Sequence, residues 1–271
     1  MRRKFSSESG QVRRLVPAVA CIVLLVGLPG CQTSSPSDIT GSLGEKAEAK
    51  TSDPRRDLET YRERFKANPK DSDAALNYGK ALRGTGQKSQ AVAVLEQASM
   101  ADPGNQALLA GYGRALADNG NFQQAFDVLG RAHTPEDPDW SILSAQGAAL
   151  DQLGRFEEAR QYYTSALKIR PDEPTVLCNL GLSYMLSKDL SKADETLRRA
   201  YSLAGSDPRI RANRALVLGL QGRMNEAEVI ARADLPPDEA AANVAALKQM
   251  LARKQASDGS KPAAGSARRH N

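Results

Sequence analysis

Between Trp140 and Glu173, large apolar, small and polar residues follow one another with a helical period. Leu143, Gln146, Gly147 and Leu150 fall at i, i+3, i+4 and i+7, which is one face of a helix. The pattern stops at Gly154, and glycine accepts the left-handed conformation that closes a helix end. A second periodic run places Ala159, Tyr163, Ala166 and Leu167 on one face and stops at Pro171. The pattern predicts a helical hairpin, with Gly147 and Ala159 where the two helices approach closely. One hairpin cannot bury its apolar face alone, so the unit is expected to repeat along the chain.

It recurs in strict register. The glycine of the first helix returns as Gly79, Gly113, Gly147 and Gly181, and a fifth step of 34 residues lands on Ala215. The alanine of the second helix returns as Ala91, Ala125, Ala159, Ala193 and Ala227. The large residue four places on is Leu95, Leu129, Tyr163 and Leu197, fading to Ala231. The turn glycine is Gly86, Gly120, Gly154 and Gly222, with Lys188 as the exception. These positions divide the chain into repeats at about 72–105, 106–139, 140–173, 174–207 and 208–241.

The flanks are fitted to the array. A helix at 55–67, with Leu58, Tyr61 and Phe65 on one face, is in register with a second helix and is expected to act as a half-repeat cap. His133 to Asp139 is a proline-containing joint, and Ala204 to Pro208 a looser one. The fifth repeat carries Arg211 and Arg214 at places that are apolar elsewhere, so it is expected to deviate most. Pro236-Pro237-Asp238 starts a last helix whose stripe is Val244, Leu247 and Leu251. It is expected to cover the open end, as a helical array requires. The helical array so defined runs over 55–253, and 254–271 reads as a disordered tail.

Charge changes the picture only at the N-terminus. The net charge is +5, but 1–30 carries Arg2, Arg3, Lys4, Arg13 and Arg14 against Glu8 alone, which leaves +1 for the rest. A nucleic-acid footprint needs a clustered basic face on the folded part, and the totals offer none. Residues 15–30 are uncharged and shorter than the roughly 20 residues of a spanning helix. A basic stretch, an apolar run and small residues before a cut site form a secretory signal over 1–30. Leu28-Pro29-Gly30-Cys31 resembles the bacterial lipobox, in which the cysteine is lipidated and becomes the mature N-terminus. That resemblance implies a membrane anchor at Cys31; the other reading is an uncleaved anchor with a chance cysteine. Gln32 follows, not Asp, which by the same resemblance sends the protein to the outer membrane, facing the periplasm. Residues 31–54 are rich in small polar groups and read as a flexible tether.

Candidate chemistry is sparse. No phosphate-binding loop, dinucleotide fingerprint or metal-spaced Cys/His pair occurs. His133 has no neighbouring Cys or second His and reads as a surface residue, and His270 lies in the tail. Glu157 and Glu158 are adjacent on a helix and point apart; with Arg155 and Arg160 they read as a solvated face. Three cysteines, Cys21, Cys31 and Cys178, make no disulfide framework. The expectation is a chain without catalytic residues, metal, cofactor or small-molecule substrate.

The 34-residue hairpin with its small-and-large pattern resembles the tetratricopeptide repeat. The resemblance implies an all-α, right-handed superhelical solenoid whose concave groove, formed by the first helices, binds protein partners. On this chain the groove would present Leu76, Lys80 and Arg83, then Arg114, Asp151, Cys178, Leu182, Met185 and Leu216. It would be basic at its N-terminal end and apolar at its C-terminal end. Leu182, Met185 and Leu216 have a second reading, packing against the final helix. Some relatives clamp a partner's C-terminal carboxylate with Lys and Asn, a set that is incomplete here. Four stretches, at 76–98, 143–169, 180–200 and 215–244, further resemble TadD-like proteins of tight-adherence (Flp) pilus systems. The most specific is Leu235 to Val244, LPPDEAAANV, which lies beyond the repeat consensus. That resemblance implies a scaffold that aids assembly or localisation of an outer-membrane secretin, with the secretin or other pilus components as partners. The alternative is a generic interaction scaffold of another envelope machine, such as polysaccharide export.

Overall fold

Every hairpin closes on a residue with positive φ. In a computed structural model that describes residues 54–233 and 235–259, these are Gly86, Gly120, Gly154 and Gly222, and Lys188 at φ 68°. In each turn the third residue after the helix reaches back five places. Arg155 N–H donates to the Leu150 carbonyl at 2.9 Å, and Asp189 N–H to that of Tyr184 at 2.9 Å. This bond satisfies a carbonyl that the helix end would leave open, and it needs the left-handed residue between. Lys188 therefore adopts a conformation that the sequence pattern reserves for glycine.

Between the turns the described residues form helices and no strands. A leading helix, α1, runs Pro54–Ala67. Five hairpins follow: α2 (Ser72–Gly84) with α3 (Lys88–Ala101), α4 (Gln106–Asp118) with α5 (Phe122–Gly130), and α6 (Trp140–Gln152) with α7 (Phe156–Ile169). Next come α8 (Pro174–Leu186) with α9 (Leu190–Ala204), and α10 (Pro208–Leu220) with α11 (Met224–Arg232). The last helix, α12, runs Pro237–Gly259. First helices start on side-chain caps or on proline. Asp139 accepts from the N–H groups of Ser141 (2.6 Å) and Ile142 (3.1 Å), and Pro174 and Pro208 occupy first turns, where a missing N–H costs nothing.

Small residues let the two helices of a hairpin touch. Ala91, Ala125, Ala159, Ala193 and Ala227 are all fully buried. A Cβ added at Gly147 would lie 2.7 Å from the Tyr163 ring, and one at Gly79 2.5 Å from Leu95. The same contact joins Gly113 to Leu129 and Gly181 to Leu197. The first helices of successive repeats also pack on one another, α2 on α4, α4 on α6, α6 on α8 and α8 on α10, while the second helices pack mainly on the first helices that flank them. The first helices thus form the tighter, inner side of an all-α solenoid.

The ends and joints add detail. On α1, Leu58, Tyr61 and Phe65 are half-buried, and Phe65 stacks on Tyr78 at 5.6 Å. The second helix α5 is short, and the joint after it folds back so that His133 Nε2 meets Gln146 Oε1 at 3.1 Å. His133 is therefore half-buried against α6, not a free surface residue. Arg211 is buried in the fifth repeat, and the Arg214 guanidinium lies 4.6 Å from the Tyr201 ring centre, so an aromatic face accommodates a charge where the other repeats place Tyr78, Tyr112, Gln146 and Leu180. The helix α12 packs on α10 and α11 through Val244, Leu247 and Leu251. It continues to Gly259, beyond the point where the sequence suggested a disordered tail; Lys254, Gln255 and Ala256 are good helix formers, and no breaker precedes Gly259. The signal segment, the tether and Cys31 lie outside the described residues, as does the chain beyond Gly259.

Candidate binding groove

The inner face is a ladder of polar contacts between neighbouring first helices. From α2 to α4, Arg83 Nε donates to Asp118 Oδ2 at 2.6 Å. From α4 to α6, Arg114 Nη2 donates to Ser141 Oγ at 2.8 Å. From α8 to α6, Asn179 Nδ2 reaches Ser144 Oγ at 3.2 Å, and Ser183 Oγ donates to Asp151 Oδ1 at 2.6 Å. From α10 to α8, Asn213 Nδ2 reaches Cys178 Sγ at 3.2 Å. Three of these pairs are 35 residues apart, one more than the repeat. These bonds pair polar groups of this face across the helix junctions.

At the centre the ladder opens into a groove of about 470 Å³ between the end of α4, the end of α6 and the outer half of α8. Ala117 and Asp118 form one wall, Leu182, Met185 and Leu186 the other, and Asp151 and Tyr163 the floor. Asp151 is only 7% exposed. Its Oδ2 accepts from the Tyr163 hydroxyl at 2.9 Å, its Oδ1 from Ser183. Burial pushes its carboxyl up to about 6, against the opposing effect of those two hydrogen bonds and of the Arg160 charge. Burial first, and then the Asp151 charge, hold the Tyr163 phenol well above its ordinary value.

The structure brings Asp151, Leu182 and Met185 together in this groove. The other residues picked from the sequence lie elsewhere. Leu76 is half-buried and packs toward Gly111 of α4. Lys80 is exposed on α2, and Arg83 is neutralised by Asp118, which lowers the positive charge at that end. Arg114 is half-buried in the α4–α6 junction. Cys178 is buried, and burial raises its thiol, with Asn213 opposing; a thiol so placed is a poor nucleophile. Leu216 is half-buried and packs against the C-terminal cluster that includes Val244, Leu247 and Leu251. The sequence pattern places Tyr163 on a packing face alone and gives Asp118, Asn179 and Ser183 no place in the groove; a 35-residue spacing of polar residues is the signal that points to the ladder. Among the described residues no group of three or more His, Cys, Asp or Glu could hold a metal ion, and no helix is long and apolar enough to cross a membrane.

Comparison with known proteins adds the following. A family profile described as "Tetratricopeptide repeat" matches 72–105 and 174–207, a second of that description matches 89–147, and one described as "TPR repeat" matches 147–188. Together they span 72–207, half of the chain. No curated protein matched the sequence. Among solved structures the chain is similar to PilW, a "widely conserved type IV pilus biogenesis factor", at TM-score 0.60 and 21% identity over 73% of this chain and 91% of that one. It is similar to a tetratricopeptide-repeat protein of Thermus thermophilus at TM-score 0.57 and 22% identity, over 68% and 99% of the two chains. A repeat protein of Parabacteroides merdae matches at TM-score 0.58 and 16% identity, over 75% and 81%. At these identities the likeness is one of fold.

Proposed function

The chain belongs to the tetratricopeptide-repeat family, and from that premise we propose that it is a non-enzymatic, lipid-anchored scaffold for a tight-adherence (Flp) pilus machine. The coarse part of this reading is the family's own: a helical solenoid that holds protein partners. An inner face open at a groove of about 470 Å³ supports it here, since that volume is in the usual range for ligand sites, about 300–1,000 Å³. The pilus reading rests on the stretch Leu235 to Val244, which stands outside the repeat consensus. It forms the joint between α11 and α12, starts α12, and buries Ala240 and Val244 in the C-terminal cluster. The outer-membrane site rests on Cys31 and Gln32. PilW shares the architecture, which is compatible with the reading without carrying it.

Deleting the gene from its host and complementing with wild type or Cys31→Ser tests both parts. Loss of pili and of secretin multimers on deletion is expected. Palmitate label should enter the wild-type protein and be absent from Cys31→Ser, because the substitution removes the sulfur that would be lipidated. Pili and multimers that survive deletion would hand the role to the generic scaffold reading, polysaccharide export included.

A further inference from the structure

We propose that the groove between α4, α6 and α8 takes a partner segment that carries one basic side chain among apolar ones, with Asp151 as the anion that receives it. The proposal rests on the scaffold reading and names the chemistry of the segment held there. The observation behind it is a buried charge without an ion-pair partner. Asp151 is 93% buried, yet both its hydrogen-bond donors, Tyr163 and Ser183, are neutral hydroxyls. A carboxylate has about four acceptor positions, so two remain for another donor.

The charged groups around it do not fill that role. Among them, Arg160 of α7 acts on Asp151 only through space; its guanidinium is bonded to Glu157 and Ser187 and lies 5.0 Å from the Tyr184 ring centre. Asp118 of α4, the other carboxylate of the groove, is engaged by Arg83 of α2. The part of α8 that lines the groove, Asn179, Leu182, Met185 and Leu186, is uncharged, and Asp151 is the sole charged residue of α6. Tyr163, which shares the floor, and the buried Cys178 are both held protonated by burial. The groove thus offers a desolvated negative charge beneath apolar lips, of which Leu186 is 45% exposed. A burial penalty on one charge is offset by an opposite charge brought to it, and the same charge repels an acidic segment or a free carboxylate.

The test titrates the full 271-residue chain, kept in detergent micelles, with capped synthetic peptides of one Leu/Ala/Ser sequence whose central residue is Arg, Gln or Glu. At about pH 7.5 the Arg peptide is expected to bind about tenfold tighter than the Gln peptide, with the Glu peptide weakest. At about pH 5, with Asp151 protonated, the preference should shrink to about twofold or less. Asp151→Asn should lose the preference at both pH values while keeping its helix content and its affinity for the Gln peptide. Asp127→Asn, at an exposed position of α5 outside the groove, should keep the preference. Should Asp151→Asn fail to fold, Leu186→Lys puts a cation on the groove's rim and should weaken the Arg peptide about tenfold with unchanged circular dichroism. Equal binding of the three peptides, tighter binding of the Glu peptide, a preference that persists in Asp151→Asn, or no binding by any of them overturns the proposal. The scaffold reading is judged separately, by the deletion phenotype.

Discussion

Asp151 is a residue that the fold would hold more cheaply as an amide. Its folded pKa of about 6 lies above the ordinary value of about 3.9 for aspartate. The unfolded chain therefore gives up its proton first as pH rises, and the folded state loses ground between about pH 4 and pH 6. Above that window the penalty is constant and of the order of 3 kcal/mol. Asp151→Asn should accordingly be the more stable protein at pH 7, by up to about 3 kcal/mol, with the difference closing toward pH 4. Urea unfolding of both proteins at the two pH values measures this; a difference that does not change with pH would show that the charge is not the cause. The sequence made Asp151 visible only as one member of a helix face. Its partners Tyr163 and Ser183 come from two other helices, and no local rule relates them. The small residues at Gly147 and Ala159 were legible because close approach is a steric rule that repeats with the chain. The 35-residue polar ladder was not, because its extra residue arises from how neighbouring helices are set against one another.

At the scale of the element, periodicity and turn residues were enough to place each hairpin, and they failed where two signals disagreed. Lys188 stands at the glycine place of its turn and takes φ 68° all the same, because the Asp189 to Tyr184 backbone bond requires it. A left-handed residue with a Cβ costs roughly 1–2 kcal/mol, part of which glycine returns as lost chain entropy. Lys188→Gly should therefore raise stability by about 0.5–1 kcal/mol, seen as a higher urea midpoint at unchanged slope. A lower midpoint would show that the lysine side chain contributes more than its backbone costs. The end of α12 differs from the sequence pattern for a related reason. Polar composition suggested a tail, but polar residues such as Lys254 and Gln255 also extend a helix once α10 and α11 have anchored its start.

At the scale of the array, the core of the described residues forms four apolar clusters; three are shared by neighbouring hairpins, and the last joins α10 and α11 to Val244, Leu247 and Leu251 of α12. Stability in such an array is a sum over repeats and their interfaces. Truncation after Pro236 removes α12 and uncovers Ala215, Leu218 and Ala227. Hydrogen exchange should then show protection lost in α10 and α11 and retained in α4 to α7. Uniform loss along the chain would mean that the array unfolds as one unit. The ladder on the inner face also gives the array lopsided mechanics. Winding it tighter presses together first helices that already touch, whereas straightening it needs only that short side-chain bonds part, junction by junction. The α6–α8 junction carries both the Asn179–Ser144 and the Ser183–Asp151 bonds, which tie α8, one wall of the groove, to α6 and its Asp151. A load pulling on the two ends would meet these two bonds before it could draw α8 away from Asp151.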